Sequence, residues 1–230
     1  MPLSASSGAH AGPLPIRHAP LLGRGTGRAC HVHPHDPGLC VKVPFNERGR
    51  KESRREQAHV RLVERLYGTA MYRHVTRLHG QVATDAGEGW LAERVCDERS
   101  GRPSPLLREA LTAEALGREP ERWREAFDEL MRWGRDTAMV VRDWSPTNLC
   151  AKRLASGGLR FVVIDGFGPK EALPLWLPLR PYARFRNRYY AERGGVTSIE
   201  ALLALCERER GERAERAGAR SVGAGTEGVR

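Results

Sequence analysis

The sequence predicts a two-lobed α+β protein, in which a small antiparallel sheet with one helix is followed by a reduced helical lobe. Short apolar segments separated by turn formers fill residues 16–95, whereas helical spacing of apolar residues dominates 96–206. The chain has 230 residues, 40% of them hydrophobic, which is enough to bury a core in each lobe. The flanking segments 1–15 and 207–230 are predicted to be a disordered N-terminus and a charged, flexible tail.

The first lobe is predicted from five short segments and one helical segment. Lys51–Tyr67 has helical spacing, with Leu62, Val63 and Leu66 on one face. Glycine, proline, asparagine and aspartate residues between the short segments are typical of turns, so these segments are predicted to be strands. The predicted strands are Leu21-Leu22, Ala29–His33, Leu39–Phe45, Gly80–Thr84 and Gly89–Val95.

The second lobe is predicted to be mainly helical. Ser104-Pro105 has the composition of an N-cap followed by proline at the first helical position, and Pro120 is predicted to begin another helix. After Pro120, apolar residues recur at helical spacing and form a stripe suited to a core. The stripe consists of Trp123, Phe127, Leu130 and Met131. A hairpin is predicted from Leu149–Arg153 and Leu159–Ile164, and a last helical stretch from Tyr182–Glu207.

A glycine-rich loop, Gly23-Arg24-Gly25-Thr26-Gly27, lies between the first two predicted strands. Because glycine has no side chain, backbone amides in such a loop can approach phosphate oxygens closely. The loop does not begin a helix, which argues against a dinucleotide-binding turn. Gly23, Gly25 and Gly27 are therefore candidate phosphate-binding residues, although an ordinary hairpin loop explains the glycines equally well.

Lys42 lies in the middle of an apolar predicted strand. A buried ammonium group is costly unless an anion meets it, so Lys42 is expected to contact a carboxylate, a phosphate or both. Glu56 is the preferred counter-charge, because it precedes the inward positions Val60 and Val63 by about one helical turn. The alternative is a lysine on an edge strand that reaches solvent.

Two acidic motifs follow the helix that begins at Pro120. Asp143 and Asn148 have a spacing that would point a carboxylate at an acceptor hydroxyl and an amide oxygen at a metal. Asp165 ends an apolar strand and is followed by glycine, which is a common place to hold Mg²⁺ against phosphates. A helix-ending turn at Asp143 and an ordinary turn at Asp165 are the alternatives.

The order of these residues along the chain is more specific than any one of them. A glycine loop, a strand lysine, a helix glutamate, Asp143 with Asn148, and finally Asp165 match the parts needed for phosphoryl transfer from ATP. In this interpretation Lys42 and the glycine amides bind phosphates, Asn148 and Asp165 hold Mg²⁺, and Asp143 positions the acceptor. Backbone groups from Glu93 to Val95 are expected to meet the adenine.

Several segments resemble the bacterial YrbL family, which is named for a place in the PhoP regulatory network and belongs to the protein-kinase-like superfamily. The resemblance spans Leu21 to Tyr190 and is most specific in the motif Arg28-x-Cys30-x-x-His33-Pro34. It implies a protein-kinase-like fold with ATP and Mg²⁺ as cofactors, and an acceptor that the family name does not identify. The other resembling segments are Cys40–Val43, Arg54–Glu56, Gly80–Gly89, Asp97–Ser104 and the motifs of Asp143 and Asp165.

Departures from ordinary protein kinases favour a small acceptor molecule or a regulator without catalysis. Val141 replaces the usual histidine of the His-Arg-Asp motif, and Ser145 stands where Ser/Thr kinases place a lysine. The motif Asp165-Gly166-Phe167-Gly168 has an additional glycine. The leading prediction is an ATP- and Mg²⁺-dependent kinase-like enzyme. The alternative is a non-catalytic nucleotide-binding module in a bacterial stress or PhoP-linked network.

The net charge of +10 raises a third alternative, a nucleic-acid-binding protein. Only four of the 38 basic residues are lysines, and the arginines are interspersed with glutamates along the whole chain. Nucleic acid is therefore not the favoured partner. The interleaved arginines and aromatic residues of Tyr182–Tyr190 would fit RNA, but a helix with a basic face explains them more simply.

The remaining composition favours a cytoplasmic protein without a membrane partner. Five scattered cysteines without a Cys-x-x-Cys pair suit reduced thiols. No apolar stretch approaches the ~18 residues needed to span a bilayer. Met1–Pro15 lacks the charged start and the apolar block of a secretory signal.

Overall fold

The computed structural model describes residues 12–170 and 179–224, and these fall into two compact units. The first unit comprises the residues up to Gln57 together with Arg77–Arg94, and the second comprises Ala58–Thr76 and the residues from Val95 onward. An antiparallel sheet forms the first unit and helices dominate the second, so the predicted α+β class is confirmed. The division differs from the predicted one, because the second half of the first helix and the loop after it belong to the helical unit.

The first unit is built on a five-stranded antiparallel sheet with the strand order β1-β2-β3-β5-β4. Every predicted strand is present, with bounds that differ by at most two residues from the prediction. The turns also fall where predicted, at the glycine loop and at residues 33–38 and 85–86. The strands are β1 Leu21–Arg24, β2 Arg28–Val32, β3 Leu39–Pro44, β4 Leu78–Thr84 and β5 Gly87–Glu93.

One face of this sheet buries a small apolar core. Two valines of β3 pack there with Leu14 and Ile16, which precede the sheet in the chain. The β4–β5 turn holds this segment, because the Asp85 carboxylate accepts the backbone N–H of Ile16 at 2.8 Å. The predicted disordered segment 1–15 lies outside the described residues as far as residue 11. At Leu14 the prediction of disorder is wrong, because its side chain is buried.

Helix α1 comprises Glu47–Tyr67 and begins four residues before the prediction. Its first turn contains no apolar residue, so helical periodicity does not reveal it. Asn46 caps the helix, because its side-chain oxygen accepts the backbone N–H of Gly49 at 2.8 Å. Val63 is buried as predicted, whereas Leu66, on the same predicted face, is 55% exposed.

The second unit consists of helices and a two-stranded antiparallel ribbon. Pro120 begins a helix as predicted, and Trp123, Phe127 and Leu130 belong to its buried stripe. The elements after α1 are the 3-10 turns Gly68–Arg73 and Pro146–Asn148, the helices α2 Leu107–Ala110, α3 Ala113–Arg118, α4 Pro120–Asp136, α5 Leu179–Arg193 and α6 Ile199–Ala224, and the strands β6 Leu149–Arg153 and β7 Leu159–Val163.

Two expectations for the helical part are corrected. Ser104 does not cap a helix: its hydroxyl donates to the Asp97 carboxylate at 2.7 Å, and helix α2 begins only at Leu107. Helix α6 continues to Ala224, so the predicted boundary at residue 206 falls inside a helix. Residues 225–230 of the predicted tail and 171–178 of the predicted connection lie outside the described residues.

The order of elements is the one predicted for a small kinase-like protein. A five-stranded sheet has one long helix after its third strand, and helices with a two-stranded ribbon follow. Within residues 12–170 and 179–224, no helix combines the length and the hydropathy needed to cross a membrane.

Candidate functional site

In the first unit, a buried ion pair joins strand β2 to helix α1. The Arg28 guanidinium donates two hydrogen bonds to the Glu56 carboxylate, at 2.5 and 3.0 Å, and one to the Ser53 hydroxyl at 3.3 Å. The Arg28 side chain is 12% exposed and the Glu56 side chain 3%. Such a bidentate pair fixes the direction of both partners as well as their distance, so it holds Glu56 against β2.

Lys42 lies on the sheet face that carries Arg28. In the strand register, Lys42 stands opposite Cys30 of β2 and Trp90 of β5, and Arg28 is two residues from Cys30. Because side chains alternate between the faces of a sheet, all four project toward the side where Arg28 meets helix α1. Lys42 is 8% exposed, so its predicted burial is confirmed. A contact between Lys42 and Glu56 stays a prediction, which this shared face favours.

The glycine loop connects β1 and β2, as predicted. Gly23 and Gly25 are exposed, and a side-chain carbon added at Gly23 would meet no atom within 4 Å. Gly27 is buried. A side-chain carbon added there would lie 2.9 Å from the Cα of Gly49 in helix α1. The Asn46 side chain also donates to a carbonyl of the loop at 2.9 Å. The end of the loop therefore packs on the helix, whereas its first two glycines are open.

Some backbone groups of the segment predicted to meet adenine are hydrogen-bonded within the protein. The Glu93 N–H donates to the Arg77 carbonyl at 2.8 Å. The Val95 carbonyl accepts the N–H of Ser104 at 2.8 Å. An adenine at this segment would use its other backbone groups, and that contact stays a prediction.

In the second unit, Asp143, Asn148 and Asp165 come together at one end of the β6–β7 ribbon. Strand β6 begins directly after Asn148, and β7 ends shortly before Asp165. The Asn148 carbonyl accepts the N–H of the residue before Asp165 at 2.9 Å, which extends the ribbon to this end. The loop of Asp143 reaches the same place, because the Arg142 N–H donates to the Gly166 carbonyl at 2.8 Å.

Glycine is required at position 166, where these two loops touch. The φ of Gly166 is +81°, in the left-handed region that favours glycine, and an added Cβ would lie 2.9 Å from the Cβ of Asp143. The Gly166 N–H also donates to the Asp165 side chain at 2.8 Å. The glycine that distinguishes this motif from Asp-Phe-Gly therefore lets the two acidic segments approach closely.

The backbone before Asp143 is anchored by Asn187 of helix α5, which is 3% exposed. The Asn187 side-chain oxygen accepts the Val141 N–H at 2.8 Å. Its NH₂ group donates to the carbonyls of Gly134 and Met139 at 2.8 and 2.9 Å. One neutral side chain thus satisfies three buried backbone groups of this segment.

A second buried side chain, His59 in the second half of α1, bonds the same segment. Its Nε2 accepts the Val140 N–H at 3.0 Å, so the ring proton is on Nδ1. Burial, together with the nearby Arg142 guanidinium, lowers the pKa of His59 to about 4. The imidazole is therefore neutral at pH 7 and acts as a hydrogen-bond acceptor without adding charge.

Asp143 itself is exposed, and Ser145 shapes the loop around it. The Ser145 N–H donates to the Asp143 carboxylate at 3.0 Å. The Ser145 hydroxyl oxygen accepts the N–H of Thr147 at 3.2 Å, which caps the 3-10 turn Pro146–Asn148. Position 145 therefore stabilises the loop and brings no cation to Asp143.

The oxygen atoms of this site suit Mg²⁺, because Asn148 offers an amide oxygen and Asp165 a carboxylate. Among the described residues, no three His, Cys, Asp or Glu side chains lie close enough together to hold a metal ion. A magnesium ion here would therefore also need oxygen atoms of a bound ligand, as is usual for Mg²⁺ with phosphates.

Of the three further residues that the structure brings to these groups, Arg28 and Asn187 carry a weak sequence signal. Arg28 begins the motif that resembles the YrbL family, so the sequence indicates that Arg28 is important. The sequence does not indicate that its partner is Glu56. Asn187 interrupts a four-residue spacing of buried small residues that includes Ala183 and Ala191, and a polar residue there indicates buried hydrogen bonds. His59 has no comparable signal.

The fold is α+β, with an antiparallel-sheet unit and a helical unit that contains a two-stranded ribbon. The sequence profile of the family described as PhoP regulatory network protein YrbL matches residues 14–194, which is most of the chain. This chain belongs to that family.

Relatives and one solved structure extend the comparison. Proteins named YrbL from Escherichia coli K12 and Shigella flexneri are each 30% identical over 204 residues, covering 82% of this chain and 95% of the relative. A crystal structure of a kinase domain is similar with a TM-score of 0.44 and 14% identity. That match covers 69% of this chain and 54% of the other, so this chain spans about half of it.

Proposed function

We propose that this protein binds ATP with Mg²⁺ and transfers the γ-phosphoryl group to a small acceptor molecule. The observation that carries the proposal is the grouping of Asp143, Asn148 and Asp165 at one end of the ribbon. An acceptor-positioning carboxylate beside two oxygen ligands for Mg²⁺ is the arrangement that phosphoryl transfer requires. The buried Lys42 supplies the cation that the same chemistry needs for phosphates.

In the sheet unit, the residues would bind the triphosphate. Lys42 would offer its ammonium group to phosphate oxygens, and the Arg28–Glu56 pair keeps helix α1 against the strand beside it. Gly23 lies at an irregularity of the β1–β2 register, and because no atom lies within 4 Å of the position a side chain would take, a phosphate would be able to approach its backbone closely.

In the helical unit, the residues would orient the acceptor. The exposed Asp143 carboxylate would accept a hydrogen bond from the acceptor hydroxyl. As that oxygen forms its bond to the γ-phosphorus and ADP departs, the hydroxyl proton passes to Asp143. Asn148 and Asp165 would hold Mg²⁺, which when bound supplies positive charge that stabilises the phosphates.

A second candidate function is a non-catalytic nucleotide-binding module in a bacterial stress or PhoP-linked network. Val141 in place of the usual histidine favours it, because the Val141 side chain is buried and apolar. Ser145, which caps the loop instead of providing a lysine, favours both this module and a small acceptor over a protein acceptor.

The test combines thermal unfolding with ATP hydrolysis, in which water serves as the acceptor. At about 100-fold excess over its dissociation constant, Mg·ATP should stabilise the wild type by about 2.7 kcal/mol. Lys42→Met should lose this stabilisation, and the exposed Lys51→Met should keep it. Asp165→Asn should lose only the part that depends on Mg²⁺.

Asp143→Asn separates the two functions. It should keep the stabilisation and slow hydrolysis by about 10²–10⁴-fold, the usual contribution of a positioned acid or base. Equal hydrolysis by wild type and Asp143→Asn, with stabilisation retained, would support the non-catalytic module. Absence of any stabilisation of the wild type by Mg·ATP would contradict both functions.

A further inference from the structure

Helix α5 presents two adjacent rows of side chains to solvent. Arg180, Arg184 and Arg188 follow one another at four-residue intervals, and all three are exposed. Phe185 and Tyr189 form the neighbouring row, with exposed fractions of 66% and 41%. Because four residues make about one helical turn, the members of each row stand ~6 Å apart along the helix.

The buried side of α5 determines which way these rows face. Ala183, Asn187 and Ala191 lie on that side, and Asn187 makes three hydrogen bonds to the segment before Asp143. Turning the aromatic row inward would break these bonds and leave buried backbone groups unsatisfied. The rotation of the helix is therefore fixed, and Phe185 stays in solvent.

The Tyr189 ring is held in place by its neighbours on the helix. Its hydroxyl accepts a hydrogen bond from Arg193 at 2.8 Å. The Tyr190 ring meets it edge-on with centroids 5.4 Å apart, and the Arg186 guanidinium lies 5.7 Å from its centroid. A ring fixed in this way loses little freedom when another flat group stacks on it.

The face is strongly basic as well as aromatic. Helix α5 carries five arginines and one glutamate among its 15 residues, on a chain of net charge +10. Arg180 also lies over the Tyr67 ring of α1, 4.8 Å from its centroid, so the mixture of basic and aromatic groups continues beyond the helix. Basic side chains that follow a phosphate backbone, beside rings on which bases stack, characterise proteins that bind single strands.

We propose that the face of α5 formed by Arg180, Arg184, Phe185, Arg188 and Tyr189 binds single-stranded nucleic acid with little sequence preference. Arginines would contact successive phosphates while bases stack on the two rings. The sequence alone does not favour nucleic acid, because the arginines are dispersed, but the helix gathers these residues into rows. The proposal does not depend on the ATP site.

The test measures the binding of labelled oligouridine and oligothymidine, about 15 nucleotides long, to the full chain over a range of salt concentrations. The two oligonucleotides distinguish RNA from DNA as the preferred source of the single strand. Affinity should fall as salt rises. Arg184→Gln with Arg188→Gln should reduce the slope of log K against log salt by about 1.4, or about 0.7 for each lost phosphate contact.

The aromatic row and a matched control complete the test. Phe185→Ala with Tyr189→Ala should weaken binding at least about fivefold without changing the salt slope. Arg132→Gln with Arg135→Gln, a matched pair of exposed arginines on α4, should leave both affinity and slope unchanged. Thermal unfolding of each variant checks that these surface changes leave the fold intact.

Several results would overturn the proposal. These are no binding by the wild type at about 50 mM salt, an equal effect of the α4 control pair, an unchanged affinity after removal of both rings, and equal affinity for a duplex. A wild-type dimer in sedimentation that Phe185→Ala converts to a monomer would assign the face to a second copy of the chain instead.

Discussion

The candidate residues of the sheet unit and those of the helical unit are held in place by different kinds of interaction. In the sheet unit, Glu56 is fixed by opposite charge through its bidentate pair with Arg28. In the helical unit, the backbone before Asp143 is fixed by the neutral side chains of Asn187 and His59. A charged anchor positions a carboxylate and partly neutralises it, whereas neutral anchors position a backbone and leave Asp143 exposed for a ligand.

The largest effect is expected from breaking the charged anchor. Arg28→Ala should lower the free energy of unfolding by about 3–5 kcal/mol, because the buried Glu56 carboxylate then loses both hydrogen bonds from the guanidinium. Urea unfolding measures the change.

An exposed ion pair of the same helix is the control for this experiment. Arg48 pairs with Glu52 at 3.2 Å on the surface of α1, and Arg48→Ala should cost no more than about 0.5 kcal/mol. A similar cost for Arg28→Ala and Arg48→Ala would show that the buried pair does not hold the sheet half together.

The neutral anchor should be nearly as important. Asn187→Leu should lower the free energy of unfolding by about 2–4 kcal/mol. It removes the hydrogen-bond partner of one N–H and two carbonyl groups that are buried before Asp143. Repeating the measurement at high salt compares the neutral anchor with the charged one. The loss of unfolding free energy in Asn187→Leu should persist there, because no charge is involved. A loss below ~0.5 kcal/mol would mean that the loop does not depend on this anchor.

The His59 anchor makes stability depend on pH. Its pKa is about 4 in the folded chain, below the unfolded value of 6.5, so the unfolded chain binds the proton more readily. Its contribution is complete above pH 6.5 and is lost as pH falls toward 4. Between pH 7 and pH 5 this group should cost about 2 kcal/mol.

His59→Gln isolates that contribution, because glutamine keeps an oxygen acceptor near the Val140 N–H but does not titrate. Urea unfolding at pH 7 and pH 5 should show a smaller decrease for this variant than for the wild type. Equal decreases would assign the pH dependence to other groups, such as His74, whose pKa burial also lowers.

The smallest effect concerns the contact of the glycine loop with α1. Gly49→Ala should destabilise the chain by at least about 1 kcal/mol, because the added Cβ would overlap the Gly27 carbonyl. Gly117→Ala in α3 is the control: its added carbon meets nothing within 4 Å, so alanine should stabilise by up to about 1 kcal/mol. Thermal unfolding compares the two variants. A change in stability of the same sign in both would contradict the close packing of the loop and the helix.

Local patterns in the sequence predict the strands and turns well, because alternation and turn residues act over a few positions. Lys42 lies in the sheet unit, and Asp143, Asn148 and Asp165 lie at one end of the ribbon in the helical unit. Helical spacing places Val63 and Leu66 on one face, but it does not show how far along the helix other elements cover that face, so the exposure of Leu66 does not follow from the sequence.

The anchors of the site could not be predicted from local patterns. Asn187 and His59 bond backbone groups 46 and 81 residues away in the chain, and backbone groups have no sequence signature. Arg28 meets Glu56 across 28 residues, where many other charged residues compete for the assignment. The two rows of α5 could not be predicted from local patterns either. Arginines and aromatic residues alternate along the sequence there, and they form separate rows only in the helical conformation.

The close contact between the backbones of Gly27 and Gly49 has a mechanical consequence. The two backbones touch there with no side chain between them that could change conformation. The end of the glycine loop and the first turn of α1 are therefore coupled. A ligand that draws the loop toward itself must also displace the helix that carries Glu56. Movement of the loop and movement of helix α1 should therefore be one motion, and a probe on either element would report on both.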